Sequence, residues 1–372
     1  MSVSQASPTI RPSELEERLS RSEPVTILDI REQAEWPVQA AGATLLHVPA
    51  ERALADPAGL AAGLEGPVAV VCARGVKALA VASALRAEGA DAASLEGGMQ
   101  GWISTLRAWP VDLGIEGLEL LQVQRPGRGC LSYLLAAGGE AVVVDPAPDP
   151  DFYLALARRA GARITHVFDT HIHADHLSGG RALAALAGAS YHLPAPALER
   201  GVSFAAEVEP VADGDRLDLG AVSLRAVALP GHTTDMTGLL VGERALLSGD
   251  SLFADGIARP DLQRSDPEGA RAMARTLHGT LRNRVLNRPD DLVVLPAHTH
   301  PGVQTGPVAP RLAAVRAAVP ELAIEDPDEF AAALTAAMPA RPANYEAVIA
   351  VNSGALELDP ELEVGGNSCA TR

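Results

Sequence analysis

Apolar and polar positions alternate in short blocks along the first 110 residues. "VTILDI" (Val25–Ile30), "ATLLHVP" and "PVAVVC" (Pro67–Cys72) are compact apolar runs rich in β-branched residues, the mark of buried strands. Pro12–Leu19 reads as an opening helix, and "ARGVKALAVASALRAEG" carries apolar residues at helical spacing up to Gly89. "DAASL" predicts another strand and "GMQGWISTLRAW" a closing helix. Strand–helix alternation of this kind predicts a mostly parallel sheet with helices on both faces. Beyond the linker-like "PVDLGIEG", strand signals first come in succession: "LELLQVQ", "CLSYLLAAG" and "AVVVDP". Helix and strand then alternate to Pro296, which predicts two sheets with helices outside them. An alanine-rich helical region follows Pro301, then "NYEAVIAVNSG", and the tail "GGNSCATR" is expected to be mobile.

The pattern predicts an α/β chain: residues 1–110 as one domain, 111–117 as linker, 118–305 as a second domain and 306–372 as its C-terminal extension. No apolar run is long enough to span a membrane, and the N-terminus lacks a signal-peptide pattern, so the cytoplasm is the expected compartment. A formal charge of −17 argues against nucleic acid, which requires clustered cations. Cys72, Cys130 and Cys369 are too few and too scattered for a disulfide framework, so each is a free thiol.

Cys72 ends an apolar strand just before a helix. Such a turn aims backbone N–H groups and the positive helix end at one point, which favours a thiolate and an anionic substrate. Arg74 and Lys77, the only lysine, add positive charge there and are candidate substrate-binding residues. The alternative is a buried structural cysteine. Asp29, Arg31 and Glu35 in "LDIREQAEW", the loop "CARGVKA", and Gly97, Gly98 and Trp102 in "LEGGMQGW" together resemble a rhodanese domain over residues 10–110. That resemblance implies that Cys72 carries sulfane sulfur as a persulfide.

"THIHADHLSGG" sets His171, His173, Asp175 and His176 between a strand and a helix, and His232, Asp250 and His298 each lie just past a strand end. Imidazoles and carboxylates converging at strand ends suit a metal site. His47, His166, His192 and His278 are expected to be structural or surface residues. The seven-residue set resembles the metallo-β-lactamase superfamily over residues 117–305, with an αββα sandwich implied. In a hydrolase of the glyoxalase II type, two zinc ions would be shared by His171, His173 and His232 on one side and Asp175, His176 and His298 on the other, with Asp250 bridging. In a persulfide dioxygenase, one Fe(II) per chain would be held by His171, His232 and Asp250. The remaining four residues would then orient ligands and bound water. The segments around Cys130 and "GIARPDLQ", and the "RPANYEAVIAVN" stretch, resemble the second group. Arg259 would then pair with a substrate carboxylate, the alternative being a structural arginine. The expected partner is a small-molecule thiol or persulfide, with neither nucleic acid nor membrane, and self-association into a homo-oligomer stays open.

Overall fold

A computed structural model of the chain describes residues 9–32, 43–220, 222–264, 266–300, 305–336, 338–341, 343–359 and 362. Glu35, Cys369 and the tail expected to be mobile lie outside the described residues. The chain divides into two compact units, one built on the residues up to Arg107 and the other on Ala108–Gln124, Cys130–Thr299 and the residues from Pro307 onward. No helix among the described residues is long and apolar enough to cross a membrane.

The first unit holds strands β1 (Thr9–Ile10), β2 (Thr26–Asp29), β3 (Thr44–His47), β4 (Val68–Val71) and β5 (Ala92–Leu95) in the order β1-β5-β4-β2-β3, with all neighbours parallel. Helices α1 (Pro12–Ser20) and α5 (Gly98–Ile103) supply Leu15, Leu19, Met99 and Trp102 to one apolar layer. Helices α2 (Ala50–Ala55), α3 (Pro57–Ala62) and α4 (Val76–Ala87) cover the other face, where Ala53, Ala78, Val81 and Leu85 pack on Val68 and Val70. The parallel sheet covered on both faces is as the alternation of runs predicts. The closing helix is shorter than expected. It stops at Ile103, and Arg107–Pro110 is strand β6 instead. Proline removes a backbone donor and cannot extend a helix, and the Trp109 indole N–H donates to Gln124 Oε1 at 3.0 Å.

In the second unit, β6 is the edge of a seven-stranded sheet ordered β12-β11-β10-β9-β8-β7-β6. Its strands are β7 (Glu119–Arg125), β8 (Cys130–Ala137), β9 (Glu140–Val144), β10 (Arg163–Phe168), β11 (Ser190–Pro194) and β12 (Val208–Val211). A five-stranded sheet runs in order through β13 (Arg216–Leu219), β14 (Val222–Ala228), β15 (Thr237–Val241), β16 (Ala245–Gly249) and β17 (Val293–Pro296). Strand β8 is nearly apolar and buried throughout, and Leu131, Tyr133, Leu135, Val142 and Val144 meet Leu217, Leu224, Leu239 and Leu247 in a buried layer between the sheets. Helices α6 (Pro150–Arg159), α7 (Gly180–Ala187) and α8 (Ala195–Leu198) pack with the first sheet. Helices α9 (Pro267–Thr280), α10 (Leu312–Ala318) and α11 (Pro327–Thr335) cover the second through Leu277, Leu312, Val315 and Phe330, and α12 (Tyr345–Asn352) follows. This is an αββα sandwich.

Four helices start at an Asp-Pro pair, a signal visible in the sequence. Asp56, Asp149, Asp266 and Asp326 each accept a hydrogen bond from an N–H of the first helical turn, with proline in that turn. The carboxylate satisfies an otherwise orphaned donor, and proline has none to lose.

One buried carboxyl makes the first unit sensitive to pH. Burial lifts Glu16 from 4.5 to about 7, against the opposing effects of the Trp102 indole N–H that it accepts and of Arg107. The folded state therefore holds this proton more tightly than the unfolded chain. Stability falls as pH rises between about 4.5 and 7 and is constant above that. Glu16→Gln should match the parent at pH 4 and exceed it by about 3 kcal/mol at pH 8 in urea unfolding of the full chain. Equal stabilities at both pH values would contradict this.

Candidate metal centre

The loop Asp169–His176 leaves the C-terminal end of β10 and is buried throughout. A buried loop needs partners for its backbone, and side chains from distant segments supply them. Asp145, at the end of β9 with φ 51°, accepts from Thr170 N at 2.7 Å and Thr170 Oγ1 at 3.0 Å. Asp235 accepts from Ile172 N at 2.8 Å and is itself held by Arg200 at 2.6 Å. Asn352, the last residue of α12, donates to the carbonyls of His173 at 3.0 Å and His176 at 2.8 Å and accepts from Ser178 N at 2.9 Å. Thus the C-terminal helix fastens the loop at three points.

This scaffold brings all seven predicted residues together. His171, His232 and Asp250 present donor atoms within 4.8 Å of one another. Asp250 Oδ2 lies 3.8 Å from His171 Nε2 and 3.7 Å from His232 Nε2. On each imidazole the far nitrogen is engaged. His171 Nδ1 meets Thr170 Oγ1 at 3.0 Å, His232 Nδ1–H donates to the Arg259 carbonyl at 2.8 Å, and His173 Nε2–H donates to Asp145 at 3.1 Å. The near atoms, His171 Nε2, His173 Nδ1, His232 Nε2 and Asp250 Oδ2, are buried and make no hydrogen bond. Burial and neighbouring imidazoles push His171 well below its ordinary pKa, and burial lowers His232. Neutral imidazoles beside a carboxylate are what a divalent cation binds. The donor set therefore fits a metal ion.

A second donor set adjoins it. Asp175, His176, His298 and Cys130 also present atoms within 4.8 Å of one another. His298 Nδ1 lies 2.6 Å from Asp250 Oδ1, and its Nε2 lies 2.8 Å from Asp175 Oδ2. Burial opposes charge here, but the cluster outweighs it. His176 and His298 lie well above their ordinary range, and Cys130 is drawn down to about 5 by those two imidazoles. Cys130 carried only a resemblance in the sequence, since nothing there shows that the first residue of β8 meets the loop after β17.

Arg259 requires a correction. It is 1 % exposed, and its planar fork engages Asp261 at 2.7 and 3.1 Å and the Pro339 carbonyl at 2.8 Å. The guanidinium expected to meet a substrate carboxylate is thus committed inside the protein, and its own carbonyl orients His232. Arg341, which shares Asp261 at 3.0 Å, is the more exposed cation of this group.

In the first unit, Cys72 follows β4. Its Sγ accepts from Gly75 N at 3.1 Å and Ala78 N at 3.4 Å, so two backbone donors converge on the sulfur. Gly98, at φ 59°, lies against this loop: a Cβ there would come within 2.3 Å of the Cys72 carbonyl oxygen. Met99 N donates to the same oxygen at 2.7 Å. Gly98 is therefore a steric condition for the cysteine loop. Arg74 and Lys77 are exposed beside it, while Arg31 pairs internally with Asp29 at 2.6 Å.

Residues 11–105 match the Rhodanese-like domain, and residues 125–298 match the Metallo-beta-lactamase superfamily. This chain joins a rhodanese-like domain to a metallo-β-lactamase-superfamily domain. Among curated relatives of the latter domain, hydroxyacylglutathione hydrolase of Anaeromyxobacter dehalogenans is 43% identical over 136 residues, covering 36% of this chain and 50% of that protein. Persulfide dioxygenase ETHE1 of Homo sapiens is 28% identical over 187 residues, covering 49% of this chain and 69% of that protein. The chain thus spans half the length of the hydrolase and about two thirds of the dioxygenase. The crystal structure of ETHE1 from Myxococcus xanthus superposes with a TM-score of 0.54 at 28% identity, over 63% of this chain and 97% of that one. A metallo-β-lactamase from Staphylococcus aureus, with TM-score 0.60 and 24% identity over 66% of this chain and 75% of that one, shares the fold.

The Asn352 clamp yields a test. Asn352→Ala leaves two loop carbonyls and one N–H without their partner and loosens the ligand loop of the metallo-β-lactamase-superfamily domain. Removing such a supporting contact should weaken metal binding by about 10- to 100-fold, measured by competition with a chelator. Unchanged affinity would show that α12 has no part in holding the loop.

Proposed function

We propose that this chain oxidises a low-molecular-weight thiol persulfide, of the glutathione type, to sulfite and the thiol. The metal reading is Fe(II) at His171, His232 and Asp250. The observation that carries it is the buried group of two imidazole nitrogens and one carboxylate oxygen, all without hydrogen-bond partners. Two histidines and one carboxylate with open positions suit non-haem Fe(II), which supplies O₂ activation when bound. The persulfide dioxygenase relative supports this reading through the larger share of its length that is matched. So does a sulfur-handling domain in the same chain.

The reaction balances as persulfide plus O₂ plus water giving thiol, sulfite and two protons. The chain's own residues do three things. Thr170 and the Arg259 carbonyl fix the tautomers of His171 and His232, so each presents Nε2 inward. Asp145 holds His173 with Nδ1 facing the centre. Arg341 offers a cation beside Tyr345, which packs with Ala174 between the loop's ligands, and suits an anionic thiol carrier. In the rhodanese-like domain, Cys72 thiolate attacks the outer sulfur of a donor such as thiosulfate, sulfite leaves, and the persulfide passes to a thiol acceptor.

A dinuclear zinc thioester hydrolase is the second reading, favoured by the second donor set with Asp250 placed between the two and by the hydrolase relative. Protein purified without added metal should contain about one iron per chain and consume O₂ with glutathione persulfide, releasing sulfite. Cys72→Ser should lose thiosulfate:thiol transfer with its iron unchanged. Two zinc ions per chain, cleavage of a glutathione thioester and no O₂ uptake would replace the first reading by the second.

A further inference from the structure

We propose that Arg200 recognises a carboxylate of the thiol carrier beside the metal centre, and so selects an acidic, glutathione-like substrate over a thiol that lacks a carboxylate. The inference rests on the reading that the substrate is a thiol-carrier derivative, and it holds for a persulfide and a thioester alike.

Topology brings Arg200 to the ligand loop. Strands β9, β10 and β11 are parallel neighbours, so their C-terminal ends lie at one end of the sheet, which is where open α/β sheets take ligands. Asp145 follows β9, the loop Asp169–His176 follows β10, and the chain leaving β11 runs through α8 to Arg200. One Nη of Arg200 donates to Asp235 Oδ1 at 2.6 Å, and Asp235 Oδ2 accepts from Ile172 N at 2.8 Å, between His171 and His173. A single carboxylate thus separates the guanidinium from the backbone of the ligand loop. Its charge is felt there. His171 is pushed well below its ordinary range by burial first, then by neighbouring imidazoles, and Arg200 adds to the effect.

The contact with Asp235 is end-on. A guanidinium carries five N–H groups in a planar fork, and it commonly meets a carboxylate with two of them. Arg181 does so with Glu207 at 2.8 and 2.7 Å, and Arg259 with Asp261 at 2.7 and 3.1 Å. Among the described residues Arg200 makes the one hydrogen bond to Asp235. Its side chain is 13 % exposed, and no nitrogen of it is sealed away without a partner. The rest of the fork therefore opens onto accessible space. The surroundings call for such a cation: Asp145, Asp169, Asp175, Asp235 and Asp250 are all buried around the loop, and their charge disfavours an anionic carrier. Arg341 stands on the Tyr345–Ala174 side of the loop and Arg200 on the Ile172 side. Two cations suit a carrier with two carboxylates. The competing account is an arginine that only neutralises Asp235.

Arg200→Gln separates these accounts, because the amide keeps an N–H donor for Asp235 and removes the charge. Two readouts apply to the full metal-loaded chain. The first is calorimetric binding of S-methylglutathione, which keeps the carrier's carboxylates and has no reactive sulfur. The second is the ratio of kcat/KM for glutathione persulfide to that for cysteamine persulfide, which has no carboxylate. In Arg200→Gln the affinity and the ratio should each fall about 10- to 100-fold, with metal content retained. Arg200→Lys should recover part of both. A purely structural role would lower the two persulfide activities together and leave their ratio unchanged. If Arg200→Gln sheds its metal, Arg200→Lys, which keeps the charge but not the fork, replaces it, and a smaller loss in both readouts is expected. A parent chain that consumes no O₂ with either persulfide removes the oxidation reading alone, and S-methylglutathione binding then decides the present one. No binding of S-methylglutathione to the parent, parental affinity in the variant, or an unchanged activity ratio would overturn the proposal.

Discussion

The metal domain is organised around buried donor atoms that the polypeptide itself does not satisfy. His171 Nε2, His173 Nδ1, His232 Nε2 and Asp250 Oδ2 all lie out of water without a hydrogen bond. Each such atom costs about 1–3 kcal/mol in a protein interior. The scaffold offsets this with two apolar layers, one between the sheets and one beneath the helices α9, α10 and α11. Polar clamps then fix the loop in place: Asp145 and Asp235 hold its backbone N–H groups, and Asn352 holds its carbonyls. A cation that binds these atoms returns the lost interaction, so metal binding and stability of this loop are linked.

The same economy of placement governs the cysteine loop of the rhodanese-like domain. Two backbone N–H groups point at Cys72 Sγ, and Gly98 allows the neighbouring turn to approach within a distance that any side chain would block. The two domains therefore share a construction in which reactive groups sit at strand ends and are oriented by backbone. Strand ends serve this purpose because the sheet fixes where the chain emerges, while the following loop remains available for ligands.

Much of this was legible in the amino-acid sequence. Short apolar runs located the principal strands of both sheets, and the histidines and aspartates after β10, β14, β16 and β17 stood out because each followed such a run. What escaped were contacts between residues far apart in the chain. Asn352 and His173 are separated by 179 positions, and nothing in "IAVNSG" announces a clamp. Cys130 meets His298 through a bridge between segments 168 residues apart, by difference of their numbers. Arg259 misled for a related reason. A motif shows that an arginine is present, but only the fold shows that Asp261 and the Pro339 carbonyl already occupy its fork. Strand β6 was missed because its first three residues, Arg107–Trp109, read as the end of the closing helix "GMQGWISTLRAW".

Diffraction recorded on either side of the iron and zinc absorption edges, from crystals of protein grown without added metal, tests the account most directly. It predicts an iron signal among His171, His232 and Asp250. Zinc at both donor sets, with no iron between His171 and His232, would contradict it.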